Sequence, residues 1–133
     1  MNTSTAKYIG MGLIFLVVFI SGYLLSRAGK PYGALLFNLH KLIALGGAIF
    51  LGVTAYNVGK VAPLAAGQIT ALVVFGILFL LTIAAGGMIS ALAEGGLSSF
   101  SAGLQSAIHT AHKILPYLTV VSLGAAFYLL IGK

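Results

Sequence analysis

The side chains in this chain that are most suited to chemistry are its three histidines. His109 and His112 lie in the stretch QSAIHTAHKILPYL with Lys113 directly after them, and His40 is followed by Lys41 in the same way. A neutral imidazole carries one nitrogen lone pair, so it can ligate a metal or move a proton. Each histidine lies in or beside a strongly apolar segment, where an unpaired polar side chain is costly. Such residues are by default candidates for a functional site.

The segments that must position these histidines read as membrane-spanning helices. Apolar residues make up 60% of the chain and charged residues 6%, with a single acidic residue, whereas roughly a quarter of a soluble domain is charged. Four segments each supply the ~20 apolar residues that cross a bilayer. They cover about residues 8–26, 34–56, 67–92 and 104–131. We predict an all-α integral membrane four-helix bundle, forming one transmembrane domain over residues 1–133.

Composition and charge exclude several classes of site. The sequence contains no cysteine, so disulfides, thiolate metal sites and c-type haem attachment are excluded. Its net charge of +6 comes from seven basic residues scattered around the predicted helix ends. Because they form no basic block, we expect no nucleic-acid partner. We expect a multi-pass protein of a prokaryotic cell membrane, with lipid around its helices.

The chain contains an internal repeat. HKLIALGGAIFLGVTAY, starting at His40, aligns without gaps with HKILPYLTVVSLGAAFY, starting at His112, at an offset of 72 residues. GLIFLVVFISG and GILFLLTIAAG, starting at Gly12 and Gly76, align at an offset of 64. We interpret this as a duplicated helical hairpin with halves of about 8–60 and 67–131, inserted in parallel. Chance similarity in an apolar composition is the alternative.

The repeat predicts a symmetric cofactor site. It places His40 and His112 at matching depth, near the end of the bundle that holds the loops within the two hairpins, which we call the loop end. Side chains on facing helices commonly build a cofactor site in a bundle core. Two symmetric imidazoles suit the two faces of haem iron. Gly22 and Gly86 are equivalent in the repeat, and glycine there lets the backbone approach a flat ligand closely.

Charge near the loop end fits the same cofactor. Haem carries two propionates, which need positive partners. The basic residues near that end are Arg27, Lys30, Lys41 and Lys113, and the acidic residue there is Glu94. We therefore expect one haem b per chain, ligated by His40 and His112, with its propionates toward the loop end.

His109 lies three residues before His112, one turn nearer the loop end. Its residue type and spacing leave four roles open: the true ligand, a propionate partner, a proton relay or a loop-facing residue. Phe37 stands at the equivalent place in the first repeat, so repeat symmetry favours His112 as the ligand. The alternative for all three histidines is that they are polar residues satisfied at helix starts without any cofactor.

Histidines on the second and fourth helices and glycines on the first and third resemble the four-helix haem-binding core of membrane b-type cytochromes, such as the cytochrome b and b561 families. Those families commonly carry two histidines on each ligating helix, about four turns apart, and bind two haems. Here the far halves of both helices have none, which leaves one haem. The resemblance implies an electron-transfer protein or an oxidoreductase subunit. It implies a quinone, a cytochrome or a catalytic subunit as redox partner, and is compatible with an oligomer or larger membrane complex.

A second function fits the same residues. His40, His109, His112 and Glu94 would bind a divalent cation in a small membrane metal-binding or transport protein, because imidazole with carboxylate suits zinc or iron. The residue types do not decide whether the chain is itself an enzyme. The two readings differ in colour: a haem protein is red, and a zinc protein is colourless.

Topology is the first testable expectation. Four spans place both termini on the same side of the membrane, opposite the loop end. Reporter fusions at Met1 and Lys133 should therefore report the same compartment. Opposite compartments would require an odd number of spans and would contradict the parallel repeat.

Overall fold

The computed structural model describes residues 3–29, 31–61 and 63–131, which contain four α-helices and no strand. The helices are α1 (Thr3–Ala28), α2 (Ala34–Val61), α3 (Ala66–Ala93) and α4 (Ala102–Ile131). The predicted all-α, four-helix class is confirmed. Most helices begin or end a few residues beyond the predicted segments, because hydropathy marks the apolar stretch and not the polar turns that flank it.

Each helix is long and apolar enough to span a membrane. The candidate spans are Ile9–Ala28, Ala34–Lys60, Ala66–Ala93 and Ala102–Leu130, with mean hydropathies between 1.6 and 2.6. Large apolar side chains such as Leu13, Leu42 and Val121 stay exposed on these helices. This is the composition of a multi-pass membrane protein, whose helices present apolar side chains to lipid.

The chain divides into two compact units, residues 1–63 and 64–133. In the first, α1 packs against α2, and in the second, α3 packs against α4. We call these units hairpin 1 and hairpin 2 and describe each by itself. The single four-helix domain predicted from the sequence stays a prediction.

Glycine ends a helix at the loop of each hairpin. Gly29, directly after α1, has φ +71°, and Gly95, just after α3, has φ +79°. In hairpin 2 the Gly96 N–H donates to the Ala91 carbonyl at 2.8 Å and the Gly95 N–H to the Leu92 carbonyl at 3.2 Å. This is the Schellman arrangement, in which a left-handed residue satisfies the last carbonyls of a helix.

A glutamine joins the two helices of hairpin 2 at the end away from the loop. Gln68 is buried, and its Oε1 accepts the N–H of Ala65 at 3.0 Å, just before α3 begins. Its Nε2 donates to the carbonyl of Leu129 at 2.9 Å, near the end of α4. One side chain therefore satisfies backbone groups at the start of one helix and the end of the next.

Four buried positions of α1 correspond to buried positions of α3 under the offset of 64 residues. The buried pairs are Met11 and Phe75, Phe15 and Phe79, Ser21 and Ala85, and Leu25 and Ile89. In hairpin 2 the rings of Phe75 and Phe79 stack with centroids 6.0 Å apart. The offset read from the sequence thus pairs residues with the same packing role in the two hairpins.

Candidate histidine sites

His40 and His112 both lie in the half of their helix nearer the loop, and both are half-buried. His40 is the seventh residue of α2, and His112 is the eleventh residue of α4. Helix α4 begins one turn earlier relative to its histidine, with the Ser101 hydroxyl accepting the N–H of Leu104 at 3.3 Å. Measured from its own helix start, His112 is therefore about 6 Å deeper than His40.

Each histidine lies against a glycine of the other helix in its hairpin. A Cβ built on Gly22 would lie 3.0 Å from Cε1 of His40, and one built on Gly86 would lie 2.8 Å from Cε1 of His112. A side chain at either glycine would therefore meet the imidazole. The nearest neighbour of both glycines is a ring of the same hairpin, and their predicted role in making room for a porphyrin stays a prediction.

The hydrogen-bond partners of His40 allow its tautomer to be assigned. Its Nδ1 lies 2.9 Å from the Ser21 Oγ. The Ser21 hydroxyl is also 2.9 Å from the Val18 carbonyl, which can only accept. We assign the one hydroxyl hydrogen to that carbonyl, so that the serine oxygen accepts from the imidazole. This assignment puts the proton of neutral His40 on Nδ1 and its lone pair on Nε2.

His112 has the same tautomer with a different partner. Its Nδ1 lies 3.1 Å from the main-chain carbonyl oxygen of Thr82. A carbonyl oxygen only accepts, so Nδ1 is the donor. The lone pair of neutral His112 is therefore on Nε2, the same nitrogen as in the tautomer assigned to His40.

Hairpin 2 has a polar contact beside its histidine that hairpin 1 lacks. The hydroxyl oxygens of Thr82 and Thr119 are 3.1 Å apart, and Thr119 is buried. The equivalent positions in hairpin 1 are Val18 and Gly47. The surroundings of the two histidines therefore match in packing and differ in polarity.

His109 lies one turn before His112, and its repeat equivalent, Phe37, lies one turn before His40. Both side chains are half-buried. The ring of Phe37 stacks on that of Tyr32, with centroids 5.4 Å apart and planes at 18°. Hairpin 1 thus uses this position for aromatic packing. The four roles left open for His109 stay open.

Two of the predicted propionate partners lie over aromatic rings in hairpin 1. The Arg27 guanidinium is 5.7 Å from the ring centroid of Tyr23, and the Lys41 ammonium is 4.2 Å from that of Phe37. Such contacts hold a cation loosely at an exposed site. Lys113 is exposed as well, so these three side chains can turn toward a carboxylate.

The remaining charged residues predicted near the loop end are Lys30 and Glu94. Lys30 lies outside the described residues. Glu94 is exposed and follows the last turn of α3, and its Oε1 accepts the Ser90 hydroxyl at 3.4 Å. Within residues 3–29, 31–61 and 63–131, no group of three or more His, Asp or Glu side chains is placed to hold a metal ion. The metal-binding alternative stays a prediction.

A groove between α3 and α4 lies in the half of hairpin 2 away from His112. Its volume is about 530 Å³, and its lining is mainly apolar. The two hydroxyls in the lining, of Thr70 and Ser122, donate to main-chain carbonyls of their own helices. No set of polar groups converges there, so the groove is a weaker candidate than the histidines.

Two residues of the histidine sites were missed from the sequence. Ser21 and Thr82 hold the imidazoles but were not singled out. Ser21 carried a usable signal, because it is a polar residue directly before a repeated glycine in a strongly apolar segment. Thr82 carried none, because it acts through its main-chain carbonyl, which every residue has.

The comparisons with known proteins add no family to this geometry. No protein-family model, no curated protein and no solved structure matches the chain.

Glycine 86 offers a sharp test of the imidazole contact. Gly86→Ala should displace the His112 ring, weaken its bond to Thr82 and destabilise the protein by about 1–3 kcal/mol, the usual range for overpacking. The neighbouring variant Gly87→Ala is the control, because nothing lies within 4 Å of a Cβ there and alanine is the better helix former.

Thermal unfolding in detergent and the imidazole NMR signals of His112 report the two effects. Gly22→Ala should act in the same direction but more weakly, since its Cβ contact is the longer one. Equal behaviour of Gly86→Ala and Gly87→Ala would contradict the packing described for His112.

Proposed function

We propose that this chain is a membrane haem b protein that carries single electrons, with His40 and His112 as the axial ligands of one haem per chain. The chain would serve as an electron-transfer protein or as a subunit of an oxidoreductase complex. A quinone, a cytochrome or a catalytic subunit would be its redox partner.

The observation that carries the proposal is the hydrogen bond that each histidine makes through Nδ1 within its own hairpin. Nδ1 of His112 donates to the Thr82 carbonyl, and Nδ1 of His40, which lies 2.9 Å from the Ser21 hydroxyl, is assigned as the donor to it. Histidines that ligate a metal almost always donate their second ring N–H to a carbonyl, a carboxylate or another acceptor. Both imidazoles therefore already have the hydrogen bonding of a ligand that binds through Nε2.

The donor set fits haem better than it fits a small cation. Haem iron needs only two protein nitrogens, because the porphyrin supplies the other four ligands. A zinc ion bound by protein alone needs three or four side chains, and within each hairpin the described residues gather no group of that size. Two equivalent imidazoles with few other donors favour haem.

The chain's own residues define the environment of the proposed ligands. Gly22 and Gly86 let each imidazole lie against the neighbouring helix, and the hydrogen bonds at Nδ1 fix the orientation of the rings. Arg27, Lys41 and Lys113 supply positive charge for the propionates. Bound haem would supply one-electron redox chemistry, and nearby positive charge favours its reduced form.

Haem content is the direct test. Protein purified from cells supplied with haem should be red, with a Soret band that sharpens on reduction by dithionite. A pyridine haemochrome assay should give close to one haem b per chain, because the sequence offers one symmetric histidine pair. A value near two would reveal a missed ligand set, and a colourless protein containing zinc would favour the metal-binding alternative.

Substitution of single histidines tests the ligand assignment. His40→Ala and His112→Ala should each abolish low-spin haem binding, because each removes one axial nitrogen. His109→Ala is the matched control: it should retain the low-spin spectrum, since its repeat equivalent is Phe37. Optical spectra of the three variants distinguish these outcomes. Loss of haem in His109→Ala with retention in His112→Ala would reverse the assignment.

A further inference from the structure

The two histidines reach equivalent carbonyls by different routes. Under the offset of 64 residues, Val18 of α1 corresponds to Thr82 of α3. His112 donates directly to the Thr82 carbonyl. In the tautomer assigned above, His40 donates to the Ser21 hydroxyl, which in turn donates to the Val18 carbonyl. Hairpin 1 therefore has one extra hydroxyl between the imidazole and the carbonyl.

The residue equivalent to Ser21 explains the difference. It is Ala85, which has no hydroxyl and so leaves His112 to bond with the carbonyl itself. Ser21 and Ala85 are both buried, with exposed fractions of 6% and 4%. Bulk water is therefore poorly placed to replace the serine hydroxyl if it is removed.

We infer that Ser21 is a positioning residue for His40: its hydroxyl, fixed on the Val18 carbonyl, holds the proton on Nδ1 and leaves Nε2 as the ligating nitrogen. This role deepens the proposed haem function and rests on it for the identity of the ligand. The hydrogen-bonding of the imidazole by itself does not depend on haem.

The extra hydroxyl also makes the two ligands chemically unequal. A hydroxyl that is itself donating becomes a better acceptor, because hydrogen bonds in a chain polarise one another. The strength of the His40 hydrogen bond still depends on a side chain that a mutation can remove, whereas the Thr82 carbonyl that His112 bonds belongs to the backbone. Hydrogen bonding to an axial ligand is one of the means by which a protein tunes a haem. Position 21 is therefore where the sequence can adjust one ligand and leave the other unchanged.

The first test uses the protein without haem. In ¹⁵N-histidine NMR, Ser21→Ala should lower the fraction of neutral His40 with its proton on Nδ1 and leave His112 unchanged. Ser21→Thr should restore the wild-type pattern, because threonine keeps a hydroxyl that bonds the preceding turn of its helix. Ser26→Ala, at an exposed serine of the same helix, is the control and should change neither histidine.

The second test uses haem titration of the same variants. Ser21→Ala should weaken haem binding about 10-fold or more, the usual cost of losing the partner of a ligating histidine. Ser21→Thr and Ser26→Ala should bind like the wild type. Ala85→Ser places a hydroxyl beside His112 and should move its resonances toward those of His40.

The outcomes separate this inference from the proposed function. A wild-type chain that binds no haem would overturn the proposed function, and the NMR test would still decide whether Ser21 holds the imidazole. If haem binds but Ser21→Ala leaves both His40 and haem affinity unchanged, the inference fails alone. It also fails if Ser21→Thr behaves like Ser21→Ala in a folded protein, or if the tautomer changes without any loss of affinity.

Discussion

The contact between an imidazole and a glycine across each hairpin is the constraint on which the candidate sites depend. At Gly22 and Gly86 a Cβ would lie 3.0 Å or less from the histidine ring. Without that space the rings of His40 and His112 would be pushed away from the neighbouring helix, and their hydrogen bonds to it would lengthen. In a bilayer such a loss is serious, because lipid offers no replacement donor or acceptor. At these positions the histidine can keep its hydrogen bond to the neighbouring helix only if the ring packs closely against the glycine.

Buried polar side chains are hydrogen-bonded throughout the described residues. None of their buried side-chain nitrogen or oxygen atoms is without a hydrogen-bond partner. Serine and threonine hydroxyls inside the spans mostly bond to carbonyls of their own helices, as expected where each helix must satisfy its own polar groups. Other side chains bond to the neighbouring helix of their hairpin: Gln68 to the Leu129 carbonyl, Thr82 to Thr119, and the two imidazoles to Ser21 and Thr82. The imidazoles are thus among the polar groups of the spans that depend on the neighbouring helix for a partner.

The four helices and the histidines and glycines of the candidate sites could be predicted from the sequence. The hydrogen bonds that the histidines make could not. Hydropathy predicted all four helices. The repeat paired His40 with His112 because the chain has only three histidines and both are followed by lysine, and the alignment of the other two helices then paired Gly22 with Gly86. It did not predict that the glycines face the imidazoles, because side-chain direction depends on how the two helices pack. It missed Thr82 because a main-chain carbonyl has no signature in the sequence.

The differences between the hairpins fall beside the histidines and not at them. The glycine, the histidine and the buried aromatic or aliphatic positions agree under the repeat offsets, whereas Ser21 corresponds to Ala85 and Val18 corresponds to Thr82. The two hairpins therefore share the space into which the imidazole fits. They differ in the polar group to which its Nδ1 bonds. If one ancestral hairpin was duplicated, the packing of the ring limited change at the contact itself. The neighbouring positions were free to change the strength of each bond, so two similar hairpins can hold imidazoles of unequal character.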